Sequence, residues 1–159
     1  MSVELQKTQE TGISSIDKDH RQIIELINLV KCAPIEQRQH ILSASVIKAL
    51  RILLLSHFGR EEDLMFAINY PHTTKHITRH SVMISSFDMN MLTYRETGSP
   101  DQILEFVSDW FDSHIAIDDT SLASFIHTMR DNKAKMVRAN LPKTPTALTA
   151  RQAGFPSRK

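Results

Sequence analysis

The chain has 159 residues, enough for one domain around a single substantial core. Hydrophobic residues make up 41% and charged residues 23%, the balance of a soluble globular protein, and no apolar run approaches the roughly 18 residues that would span a bilayer. Its one cysteine, Cys32, excludes an intrachain disulfide and a cysteine-based metal cage, so any bound metal must rely on histidines and carboxylates.

Net charge is only +1, but it is unevenly spread. Residues 131 to 159 hold seven Lys/Arg against Asp131 alone, so that part carries +6 and the rest −5. The opening "MSVELQKTQE" is polar and contains acids, unlike a secretory signal, and a cytoplasmic location is expected.

Glycine is scarce and period-two alternation is missing, which argues for an all-α fold. Three proline-containing breaks, "CAPIEQ" (32–37), "INYPH" (68–72) and "ETGSPD" (96–101), divide the chain into four helices. After an arm at 1–16, the first helix is expected to begin near Asp17 or Asp19, either of which could cap it, and to run to about Val30 with Ile23, Ile24 and Ile27 inward. The second, about 35–66, shows Leu50, Leu54, His57, Phe58, Glu61 and Met65 along one stripe. In the third, about 72–95, His76, His80, Met83 and Phe87 share a face. Along the fourth, about 101–130, the stripe is Ile103, Val107, Trp110, His114, Ile117, Leu122 and Phe125. Four amphipathic helices with short connections suggest an up-down-up-down antiparallel four-helix bundle over 17–131. Residues 132–159 read as a basic, proline-containing tail, mobile or strapped to the surface.

Residues four apart on a helix project together, so His57 with Glu61 and His76 with His80 each offer two donors to one small volume. These pairs continue apolar stripes and should point into the bundle, where an unpartnered imidazole or carboxylate costs several kcal/mol. A lone inward histidine such as His20 or His114 is more often a hydrogen-bonded core residue than a ligand. Five histidines and at least two acids spread over all four helices favour mutual satisfaction by metal instead. That donor number exceeds one tetrahedral zinc and suits two iron or manganese ions with bridging carboxylates. The Glu-x-x-His pairs of ferritin-like bundles are missing. His40, His72 and His127 fall outside the pattern and are expected at the surface or boundary.

The segments "GISSIDKDHRQIIELIN", "HFGREEDLM", "HTTKHITRH" and "WFDSHIAIDD" resemble, in order and spacing, the helix motifs of the hemerythrins, specifically the single-domain bacterial kind. The resemblance covers about residues 12–130. It implies that His76, His80 and His114 hold one iron, that His20 and His57 hold the other, and that Glu61 and Asp119 bridge them beside an oxo or hydroxo group, the irons passing between Fe2+ and Fe3+. Dioxygen would bind reversibly, as a hydroperoxide, on the five-coordinate iron with two histidines. The resemblance thus implies a non-enzymatic carrier, store or scavenger. Ile23, Phe58, Trp110 and Phe111 would wall the oxygen pocket, a role compatible with plain core packing, which is the commoner reading of any one of them alone.

Two positions depart from the family: Leu122 stands where a tyrosine is common, and no tryptophan lies near the N-terminus. On a straight helix Asp118 shares the face of His114 and Asp119 is rotated away, so the resemblance requires a π-bulge after His114. Alternative readings are an oxygen- or redox-responsive module acting through the basic tail on a protein or membrane surface, and a peroxidase-like, nitric-oxide-directed or iron-repair activity. No nucleic-acid partner is expected.

Overall fold

The computed structural model describes residues 10–34 and 44–140. Within them lie α1 (Ser14–Lys31), α2 (Ala44–Ala67), α3 (Thr73–Thr97), α4 (Asp101–His114), a π-helical turn (Ile115–Asp119) and α5 (Thr120–Asn140). The last three form one continuous rod. α1 packs on α2, α2 on α3, α3 on α4 and α4 back on α1, which closes an all-α four-helix bundle. No helix among the described residues is long and apolar enough to cross a membrane.

Two helix boundaries differ from the sequence expectation. α1 starts at Ser14, about a turn early, and its N-cap Ile13 makes no side-chain cap bond. Asp17 is not the cap: its carboxylate accepts from Thr11 N (2.8 Å), Thr11 Oγ1 (2.7 Å) and Gly12 N (3.1 Å), tying the incoming chain to the first turn. At the other end, α5 continues to Asn140, well past the expected stop near residue 131, and residues 127–140 are exposed throughout. The apolar period fades there, but Ala, Lys, Met and Arg sustain a helix by propensity alone. The expected start of the second helix at 35 and the tail from 141 onward fall outside the described residues.

The connections follow from local chemistry. At the end of α2, Asn69 takes a left-handed φ of 52°, and Tyr70 N donates to Met65 O at 2.9 Å. α3 stops at Gly98, whose φ of 70° is disfavoured for a side-chain-bearing residue and whose N–H donates to Tyr94 O.

Two apolar clusters fill the bundle. One contains Ile23, Ile27, Leu54, Phe58, Met83, Phe87, Val107, Phe111 and Ile115. The other contains Ile13, Ile16, Met65, Tyr70, Leu122, Ala123 and Ile126. Burying each large side chain contributes about 1.5–3 kcal/mol. Along every rod the chain passes from one cluster to the other through polar residues: His20 on α1, Glu61 on α2, His76 and His80 on α3, His114 and Asp119 on the fourth. A polar layer therefore lies between two dry plugs.

Candidate metal centre

The structure brings all seven predicted donors into that layer. His20, His57 and Glu61 are 0% exposed, His114 and Asp119 1%, and His76 and His80 2%. Their ligand-capable atoms fall into two groups, Glu61 with His76, His80 and His114, and Glu61 with Asp119, His20 and His57; within each, the atoms lie within 4.8 Å of one another.

The π turn decides which aspartate belongs to the layer. Its five residues replace an ordinary α turn, with Thr120 N donating to Ile115 O, and rotate everything that follows back by about one residue. Asp119 turns inward, with Oδ1 3.0 Å from His114 Nε2 and Oδ2 3.1 Å from His20 Nε2. Its two oxygens thus face the two different groups. Ile117, expected in the apolar stripe, is rotated out and is 52% exposed.

Glu61 Oε2 faces inward as well, 3.2 Å from His80 Nε2, 3.5 Å from His76 Nε2 and 3.8 Å from His57 Nε2. These contacts are close but poorly aligned. Both ring nitrogens of His20 and His57, and both carboxylate oxygens of Glu61 and Asp119, are buried and make no hydrogen bond among the described residues. Eight orphaned polar atoms in a dry layer would be a severe penalty if nothing else met them. The Nε2 atoms of His76, His80 and His114 also crowd together, His114 lying 3.4 Å from His76 and 3.1 Å from His80. Donors about 3 Å apart are what metal bonds of about 2.1 Å at near-right angles produce. The residues present fit a metal. Imidazole and carboxylate together suit a first-row transition ion better than calcium or magnesium, which want oxygen alone.

Electrostatics point the same way. Burial would lower the His76 pKa, but Asp119 and Glu61 outweigh it and raise it to about 9. His114 is likewise raised against burial, chiefly by Asp119 and then Asp118. Against burial and their mutual repulsion, the histidines hold Glu61 and Asp119 below the usual carboxylate range. Two buried anions thus demand cations, as protons or as metal.

A ring of outer carboxylates was missed in the sequence. Glu62 Oε1 lies 3.0 Å from His80 Nδ1. Asp118 Oδ2 lies 3.2 Å from His114 Nδ1, while its Oδ1 accepts from Arg79 at 3.0 Å. Asp19 is bound by Arg60 at 2.6 Å and stands 3.7 Å from His57 Nδ1. Such partners orient an imidazole and leave Nε2 as the inward donor. The acidic doublets at 61–62 and 118–119 were the available signal, one residue of each facing inward and the other outward.

The four expected pocket residues divide. Phe111 sets its edge against His20 (5.4 Å) and His57 (6.1 Å), and Ile23 is fully buried one turn from His20. Phe58 stacks on His80 at 3.9 Å and also lies 5.5 Å from the His57 ring, so it touches both groups, whereas Trp110 stacks on His114 at 4.4 Å and stands behind the three-histidine group. Leu122, at 0% exposure, lies in the second apolar cluster with Tyr70. His72 and His127 are exposed, as expected, and His40 lies outside the described residues.

Fold and site define a metal-binding four-helix bundle with a buried histidine and carboxylate layer. The family described as "Hemerythrin HHE cation binding domain" matches residues 11–126, and the chain belongs to the hemerythrin family. It is 31% identical over 131 residues to the bacteriohemerythrin of Pseudomonas paraeruginosa, covering 80% of this chain and 82% of that one. To the bacteriohemerythrin of Stenotrophomonas maltophilia it is 32% identical over 113 residues, covering 70% and 73%. With that of Clostridium acetobutylicum the identity is 28% over 114 residues, covering 67% and 87%.

Proposed function

We propose that the layer holds two iron ions, His76, His80 and His114 on one, His20 and His57 on the other, with Glu61 and Asp119 shared between them beside an oxo or hydroxo bridge. The observation that carries this is the division of seven buried donors into two groups that share Glu61, with the two oxygens of Asp119 facing both. The irons, passing between Fe2+ and Fe3+, would supply two electrons to dioxygen and recover them on its release. The protein then serves as a non-enzymatic oxygen carrier, store or scavenger.

The residues around the layer support reversibility. The two-histidine side has one protein donor fewer, which leaves room there for dioxygen, and Phe111 and Ile23 cover that side with hydrocarbon. Water and stray protons are kept from the bound gas. Five neutral imidazoles and only two carboxylates stabilise high-valent iron less than a carboxylate-rich site would, which favours binding over oxygen activation. An exposed, unpaired Cys32 suits a reducing compartment, and we place the protein in the cytoplasm.

The test is to load metal-free protein anaerobically with ferrous iron, count iron per chain, then admit and remove oxygen while recording the visible spectrum. Two irons and a charge-transfer band that comes and goes with oxygen are expected. Irreversible oxidation would make the protein a redox or catalytic one, and a single iron would overturn the dinuclear assignment.

A further inference from the structure

Beside the π turn a cleft of about 180 Å³ opens at the surface, its walls including Tyr70, His72, Lys75, His76, Asp118 and Ser121. His76 belongs also to the buried layer, at 2% exposure, so a single ring separates this cleft from the donors. Much of the remaining wall of the layer is hydrocarbon or aromatic, and the polar side chains set into it are engaged, Glu62 by His80 at 3.0 Å and Asp19 by Arg60 at 2.6 Å. Ile23, Phe111 and Leu122 are fully buried, and Phe58 and Trp110 stack flat on His80 and His114. A hydrated cation crossing the hydrocarbon and ring faces would shed water with nothing to replace it. The cleft offers imidazole, hydroxyl and carboxylate instead.

His76 is also the ring of the three-histidine group with the weakest tether. His80 and His114 are each fixed through Nδ1, by Glu62 at 3.0 Å and by Asp118 at 3.2 Å. The polar contacts of the His76 ring among the described residues all run through Nε2, to His114, Glu61 and Asp119. It sits in the first turn of α3, where its backbone N–H donates to the N-cap residue His72 (3.0 Å), and helix ends open at lower cost than helix middles.

We propose that metal ions reach and leave the centre through this cleft, with exposed His72 as the imidazole that first meets the ion and His76 as the ring that turns to admit it. This rests on reading the layer as a metal centre. The charge at the mouth sets the rate: Asp118 is occupied by Arg79 at 3.0 Å, while Lys75 is exposed and repels a cation.

Two variants test the route in opposite directions. Metal-free wild type, Ser121→Trp and Lys75→Glu are mixed with ferrous iron alone under anaerobic conditions, and uptake, loss to a strong ferrous chelator and final iron per chain are measured. Ser121→Trp, which plugs the mouth from an exposed position, should slow both uptake and loss roughly tenfold, as a closed lid does. Lys75→Glu should speed uptake roughly tenfold at low salt, with the gain fading at high salt. Iron per chain should match wild type in both. Wild-type rates in either folded variant overturn the proposal, and if Ser121→Trp does not fold, Lys75→Glu decides alone. A wild-type chain that takes up no iron would instead sink the metal-centre reading.

Discussion

Asp118 and Asp119 are chemically identical neighbours with different tasks. Asp119 is fully enclosed and faces both donor groups, whereas Asp118 holds His114 from behind and is itself held by Arg79. Replacing Asp119 with Ala should therefore lower bound iron below two per chain. Asp118→Ala should keep two irons but weaken affinity about 10–100-fold, the usual consequence of losing such a partner. Equal iron loss in both variants, measured by elemental analysis and competition with a chelator, would mean that the two roles are not separated.

His76 adds a pH dependence. Its metal-free pKa of about 9 against an ordinary 6.5 means that the proton stabilises the metal-free fold fully below pH 6.5, and that this contribution disappears as pH rises through about 9. A metal-bound nitrogen has no room for that proton. Iron uptake near pH 7.5 should thus release it, and apparent affinity should climb with pH up to about 9. Calorimetry in buffers of different ionisation enthalpy reads the proton directly; uptake with no proton release would be wrong for this site.

At the scale of elements, the π turn is the decisive feature. The fourth rod must bury Val107, Phe111 and His114 before the turn and Asp119, Leu122 and Ile126 after it. One extra residue in a straight helix would rotate the second set by about 100°, and the widened turn absorbs that rotation. Deleting exposed Ala116 should convert the turn to ordinary α-helix and leave both stripes in phase, so the bundle should still melt cooperatively. Deleting exposed Asp109, which lies before the turn, should throw the stripes out of register and abolish cooperative melting by circular dichroism. If the two deletions behave alike, the turn is not an accommodated insertion.

For the whole molecule, the polar layer between two apolar clusters is a cost that metal removes. Buried carboxylates and imidazoles without matched partners destabilise a fold by several kcal/mol, so the metal-free bundle should be marginal. Ferrous iron under anaerobic conditions should raise the melting temperature in proportion to the logarithm of its concentration. Magnesium at the same concentration should shift it little, because the layer is rich in nitrogen and poor in oxygen donors. A melting temperature indifferent to iron would argue that the layer satisfies itself.

Much of this was legible in the chain itself, because helical periodicity converts spacing directly into facing. The breaks at 32–37, 68–72 and 96–101, the i,i+4 pairs His57 with Glu61 and His76 with His80, and the placement of all five histidines in apolar stripes determined an all-α bundle with an inward imidazole layer. Periodicity on an ideal helix favours Asp118 over Asp119; family spacing alone called for the π turn, and the turn's geometry is what aims Asp119 inward. Contacts between rods were beyond reach. That Glu62, Asp118 and Asp19 stand behind His80, His114 and His57, that Trp110 backs one donor group, Phe111 covers the other and Phe58 touches both, and that a cleft reaches His76 all depend on how four helices rotate and dock against one another. Tertiary packing alone decides those angles, since a single helix specifies which residues share its face but not which residues of another helix it will meet.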